Sequence, residues 1–114
     1  MGQVEVPVVR NILQANDRLA ADNRKRFREA GVYVINLMSS PGAGKTSLLE
    51  KTIDALAGRL RMAVIEGDIQ SSHDAERIRG KGVRAVQINT GGGCHLDANM
   101  IQAAMDSLDL QGLD

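Results

Sequence analysis

With no tryptophan, one phenylalanine and one tyrosine in 114 residues, the chain lacks the aromatic platforms on which single-stranded nucleic acid stacks. It also lacks a charge of one sign, because fourteen basic side chains stand against fourteen acidic ones, which removes the basic field that would attract a phosphate backbone. Nucleic acid is therefore not an expected partner. A single cysteine excludes an internal disulfide. No apolar run approaches the ~20 residues of a membrane span, and the polar opening "MGQVEVPVVRN" has no secretion-signal core, so no membrane partner is expected and the cytoplasm is the expected compartment. What is present, 43% apolar side chains in one short chain, suits a single compact domain. A chain of this size buries roughly 65% of its unfolded surface, enough to hold together without a disulfide or a metal staple.

Only two prolines occur. Pro7 suits the first turn of a helix, and Val9, Ile12, Leu13, Leu19 and Phe27 follow at roughly helical spacing among polar residues, until Gly31 offers a stop. The expectation is an amphipathic helix over residues 8–29, ~33 Å long, lying as a cover over a sheet. Beyond it, "VYVINLM" (32–38), "RMAVIE" (61–66) and "VRAVQIN" (83–89) have the apolar, β-branched character of strands buried on both faces. Each precedes a helical pattern, at 45–57, 74–79 and 97–108. Strand, loop and helix in alternation predict a layered α/β domain with a parallel sheet, whose functional loops share the edge at the carboxyl ends of the strands. On this reading residues 1–31 are a leading helix and 32–114 belong to the α/β domain.

The second proline stands in the first of three such loops, "SSPGAGKTS". It follows the phosphate-cradling pattern G-x-x-x-x-G-K-[ST], except that Ser39 replaces the first glycine, where Pro41 constrains the turn. Successive backbone N–H groups of Pro41-to-Ser47 type loops, here from Gly42, Ala43, Gly44, Lys45, Thr46 and Ser47, converge on phosphate with the positive end of a helix behind them. Lys45 supplies a point charge to the terminal phosphates, and the Thr46 hydroxyl is a ligand for Mg²⁺. The competing reading is a helix-capping turn that binds nothing. In the second loop, "IEGDIQSSHD", a carboxylate could hold magnesium or orient the attacking water, and Asp68, beyond Gly67 and outside the expected strand, is preferred to Glu66. Capping of the following helix is the competing role, open also to Ser71 and Ser72, and His73 is expected to be a surface residue.

The third loop, "NTGGGCHLDANM", sets Cys94 beside His95 after three glycines. Thiolate and imidazole together suit Ni²⁺ or Zn²⁺, but two donors do not close a site, and a two-fold dimer would double them. A buried cysteine next to a helix-capping histidine is the bland alternative. A Cys-His nucleophile pair is disfavoured, since adjacent side chains diverge.

Taken together, "NLMSSPGAGKTSLLEKT", "VIEGDIQSSHDAERI" and "INTGGGCHLDANMI", with the opening "ILQANDRLAADNRKRFREAGV", resemble the hydrogenase nickel-incorporation GTPase family, HypB, over nearly the whole chain. The urease-serving relatives share the phosphate loop but carry a Cys-Pro-His metal motif that does not occur here. The resemblance implies a three-layer, parallel-sheet P-loop NTPase of the dimerising signal-recognition-particle/MinD-like class. It implies GTP binding and hydrolysis with Mg²⁺, nickel delivery to [NiFe] hydrogenase, a homodimer, and as partners other hydrogenase maturation proteins and the hydrogenase large subunit. By position it assigns phosphate binding to residues 42–47, magnesium and hydrolysis to Thr46 and Asp68 with Lys45, and metal binding to Cys94 and His95.

The chain departs from the family pattern in having no N-K-x-D segment to read guanine, no second magnesium carboxylate strand, no further cysteine after it, and no amino-terminal cysteine cluster or histidine-rich stretch. The expectation is thus the first half of a GTPase domain, which by itself hydrolyses GTP poorly or not at all. Two other classes stay open on the residues alone: a different P-loop enzyme, such as a urease-type accessory GTPase, an ATPase or a small kinase, and a non-catalytic metal-binding dimer module.

Overall fold

The computed structural model describes residues 7–38, 44–68, 73–89 and 96–114. Six elements follow one another: α1 (Pro7–Ala30), α2 (Lys45–Leu56), β1 (Ala63–Asp68), α3 (His73–Arg79), β2 (Arg84–Asn89) and α4 (Ala98–Ser107). Strands β1 and β2 pair in parallel, in register from Ala63 with Arg84 to Asp68 with Asn89. A parallel pair needs a crossover between its strands, and α3 provides it. The expected parallel α/β alternation is therefore present, and the loops after β1 and β2 leave the same edge of the sheet.

The core forms where the crossover helix meets the sheet and α2. Ile78 of α3 is fully buried and packs with Ile53 of α2 and Ala85 of β2, ringed by Leu49, Met62, Val64 and Val83. Charged side chains tie α2 to α3 and to the turn after it: Arg77 pairs with Glu50, and Lys81 Nζ, two residues past α3, donates to Asp54 at 2.9 Å. The hydrogen bond to Asp54, together with its charge, raises the Lys81 pKa above the ordinary 10.5. A raised folded-state pKa means that the contribution of this pair is full below the unfolded value and is lost as pH rises through the folded one. Accordingly, Lys81→Ala is expected to flatten the alkaline limb of stability above about pH 10, read from urea unfolding against pH, with no change at neutral pH beyond a small uniform offset.

Element boundaries agree with the sequence to within a few residues, with two exceptions of substance. β1 runs two residues past Glu66. Asp68 is thus the last residue of the strand, not a residue beyond it, because Gly67 and Asp68 continue the ladder opposite Ile88 and Asn89. Glu66 sits in mid-strand.

The second correction concerns residues 32–38, expected to form a strand buried on both faces. They join no ladder among the described residues, and they stand largely in solvent, Ile35 at 72% and Met38 at 81% exposure. The reason is a missing neighbour. A parallel strand is held by partners at its edges and by helices over its faces. Here the Tyr33 N–H reaches only the Asp114 carbonyl at 2.8 Å, while the Asp114 N–H reaches the Arg61 carbonyl at 2.9 Å. Asp114 therefore stands between the start of 32–38 and the approach to β1, and no described residue continues that bridge.

Helix α1 begins at Pro7, whose fixed φ and missing N–H suit a first turn, and ends at Gly31 with φ 72°, where the Val32 N–H turns back to the Phe27 carbonyl. It packs on α4, not over the sheet as expected. Its expected apolar face is covered only in part: Leu19 and Phe27 are half-buried, Ile12 and Leu13 are exposed, and the polar Asn23 is 5% exposed. Among the described residues no helix is long and apolar enough to cross a membrane.

Candidate functional site

The first candidate loop enters α2 through Gly44, which has φ 94° and ψ 23°. A Cβ there would meet nothing within 4 Å, so the left-handed backbone, and not crowding, is what requires glycine. Left-handed geometry at the N-cap turns the chain sharply into the helix, and the Leu48 N–H closes the first turn on the Gly44 carbonyl at 3.0 Å. Among the described residues no side chain caps α2, and no acidic residue lies in its first turn. Among the described residues no side chain meets the N–H groups at the start of this helix, and the positive end of the helix dipole stands behind them. Lys45 and Ser47 are exposed at this end, and Thr46 between them is buried. Pro41, Gly42 and Ala43 lie outside the described residues.

Asp68 closes β1 on the edge from which both later loops leave, although its side chain lies outside the described ones. So do the side chain of His73 and residues Ser71 and Ser72. Cys94 and His95 also lie outside, in the connection from β2 to α4. Among the described residues no three His, Cys, Asp or Glu side chains gather as a metal cluster.

The two ends of that connection are described, and they are built differently. At one end Asn89 pairs with Asp68 in the ladder. At the other, α4 opens on Asp97, whose Oδ1 accepts the Met100 N–H at 2.8 Å. Both backbone groups of the next residue, Ala98, are held by α1: the Ala98 N–H donates to Asn16 Oδ1 at 2.8 Å, and the Ala98 carbonyl accepts from Asn23 Nδ2 at 2.9 Å. Arg26 adds an ion pair to Asp106 at 3.1 Å. A recess of about 300 Å³ opens beside this clamp, lined by Asn16, Asn23, Arg24 and Asp97 among others. Sequence reading passed over Asn16 and Asn23 as members of a polar face; their seven-residue spacing, which places both on one side of a helix, was the available signal.

Residues 33–114 match the family "CobW/HypB/UreG, nucleotide-binding domain". Over 102 residues the chain is 59% identical to the hydrogenase maturation factor HypB of Azotobacter vinelandii, which covers 90% of this chain and 34% of that protein. The crystal structure of HypB from Helicobacter pylori in complex with nickel superposes with a TM-score of 0.81 at 46% identity, covering 88% of this chain and 47% of that one. HypB from Archaeoglobus fulgidus does so with a TM-score of 0.74 at 40% identity, covering 82% and 46%. The chain thus spans less than half the length of each of these relatives.

Proposed function

Because this chain belongs to the CobW/HypB/UreG nucleotide-binding domain family, we infer that it carries the phosphate-binding and metal-binding loops of a GTP-hydrolysing metallochaperone that delivers nickel to [NiFe] hydrogenase during maturation. The observation that carries the reading is the start of α2, where a left-handed Gly44, an exposed Lys45 and a helix end without a side-chain cap among the described residues suit an anion.

In this reading residues 41–47 cradle the nucleotide phosphates, and Lys45 places its ammonium against the terminal one. Oxygen donors suit Mg²⁺, so the Thr46 hydroxyl and the Asp68 carboxylate are the groups that would hold it, the ion supplying charge neutralisation at the terminal phosphates. Asp68 also orients the attacking water. Base choice is assigned to GTP from the resemblance to the hydrogenase nickel-incorporation GTPase family. Nickel is the cargo. Cys94 and His95 offer it one soft and one borderline donor, with Zn²⁺ as the competing ion, and a homodimer brings a second pair. The partners are other hydrogenase maturation proteins and the hydrogenase large subunit, in the cytoplasm.

Phosphate release from GTP and from ATP, measured side by side on the full-length protein with magnesium, tests the assignment. GTP is expected to be turned over at least tenfold faster at equal concentration; equal or faster ATP turnover would exclude a GTPase. The 114-residue chain alone is expected to turn over GTP poorly, since residues 32–38, which lead into the phosphate loop, lack ladder partners among the described residues.

A further inference from the structure

We propose that Asn16 and Asn23 of α1 are positioning residues for nickel binding: they clamp the first residue of α4 and thereby fix the exit of the loop that carries Cys94 and His95. The proposal rests on the metal reading given above for that pair. Four observations lead to it.

The clamp is two-handed. Asn16 accepts from the Ala98 N–H and Asn23 donates to the Ala98 carbonyl, across sequence separations of 82 and 75 residues. A backbone N–H can only donate and a carbonyl can only accept, so the orientation of both amides is fixed by their partners. Sliding α4 by one residue moves Ala98 by ~1.5 Å along the axis, enough to break both bonds together. The axial position and the rotation of the start of α4 are therefore set by α1.

The clamp also costs burial that an ordinary helix seam would use otherwise. Asn23 is 5% exposed, and its Oδ1 is buried with no hydrogen-bond partner among the described residues. Such a site, if it served only to join two helices, would be filled as well by leucine or alanine, which bury no polar atom. The same helix leaves Ile12 and Leu13 in solvent. A polar group at the most buried of the described positions on α1 points to the backbone that this group holds.

What it holds lies next to the metal loop. His95 is three residues before Ala98 in the chain, so its Cα lies within roughly 11 Å of the clamped residue whatever path the chain takes. The other end of the connection is fixed at Asn89 by the parallel ladder with Asp68. Between two fixed ends the loop has fewer conformations to lose on chelation, and preorganisation of this kind raises affinity without adding a ligand. Where a two-fold partner must present the same donor pair to the same ion, a fixed exit also makes both halves alike.

Finally, α1 packs on α4 and ties to it a third time through Arg26 and Asp106. A helix that the sequence marks as a leading segment is in this way part of the frame of the metal loop.

The test uses the full-length protein and Ni²⁺ alone, followed by the sulfur-to-nickel charge-transfer absorption that a thiolate ligand gives and by equilibrium titration. Asn16→Ala and Asn23→Ala are each expected to weaken nickel affinity roughly tenfold, within the 10–100-fold range of residues that orient ligands, while GTP affinity stays within about twofold of wild type. Asn16→Asp keeps the acceptor and is expected to restore nickel affinity, whereas Asn23→Asp replaces the donor by a carboxylate facing a carbonyl and is not. Circular dichroism and GTP binding report folding; should Asn23→Ala fail to fold, Asn16→Ala with its Asn16→Asp rescue decides alone. Nickel affinity unchanged in the Asn16 and Asn23 alanine variants, with Cys94→Ala abolishing binding, overturns the positioning role and leaves the metal reading standing. Cys94→Ala binding nickel as wild type does overturns the metal reading and the positioning role with it.

Discussion

Lys45→Ala in the full-length protein is expected to lower GTP turnover roughly 10²–10³-fold, measured as phosphate release at saturating nucleotide and magnesium, with an unchanged unfolding curve. The size follows from where charge develops. In phosphoryl transfer the protein contributes little covalent chemistry, so the rate depends on groups already aimed at the equatorial oxygens of the transferred phosphoryl, and removal of one such group from a preorganised site costs two to three orders of magnitude. Lys45 is the first residue of α2, directly after left-handed Gly44, at a helix end that no side chain caps among the described residues. Its side chain is exposed, which is why stability should stay within about 0.5 kcal/mol of wild type. Turnover within about threefold of wild type would remove the phosphate loop from the reading and leave a helix-capping turn.

Cys94→Ala or His95→Ala is expected to abolish stoichiometric nickel binding, with affinity reduced at least ~100-fold, and to abolish metal-dependent dimerisation in sedimentation runs with and without Ni²⁺. The argument is a ligand count. One chain offers two donors where about four are needed, so loss of one donor per chain removes two from a two-fold site. The pH dependence carries a definite sign: metal displaces a proton from a thiol of ordinary pKa ~8.5 and needs a neutral imidazole, so affinity falls on acidification. Nucleotide binding should be indifferent to both substitutions. A Cys94 variant that binds nickel and dimerises like wild type would make Cys94 a packing residue and take the chemical basis from nickel delivery.

Local features were set by the sequence alone. Pro7 and Gly31 bound α1 because proline fixes φ at a first turn and glycine accepts the left-handed residue at a helix end. Gly44 is determined in the same way, by its φ of 94°. Parallel pairing of β1 with β2 was legible too, since a strand, a helix and a strand in succession leave a right-handed crossover as the favoured arrangement. Asp97 is the side-chain cap that starts α4, a role the sequence reading did not give it.

Tertiary structure decided what local pattern cannot carry. The apolar run at 32–38 has the composition of a buried strand, yet burial depends on neighbours, and its start bonds only to the end of α1 through Phe27 and to Asp114 among the described residues. Periodicity placed Ile12 and Leu13 on the inner face of α1, yet both are exposed; packing against α4 put Asn16 and Asn23 there, where Asn16 supplies the acceptor that the Ala98 N–H lacks at a helix start and Asn23 donates to the Ala98 carbonyl. Those partners lie 75 and 82 residues away in sequence, a separation that no window of local propensity spans.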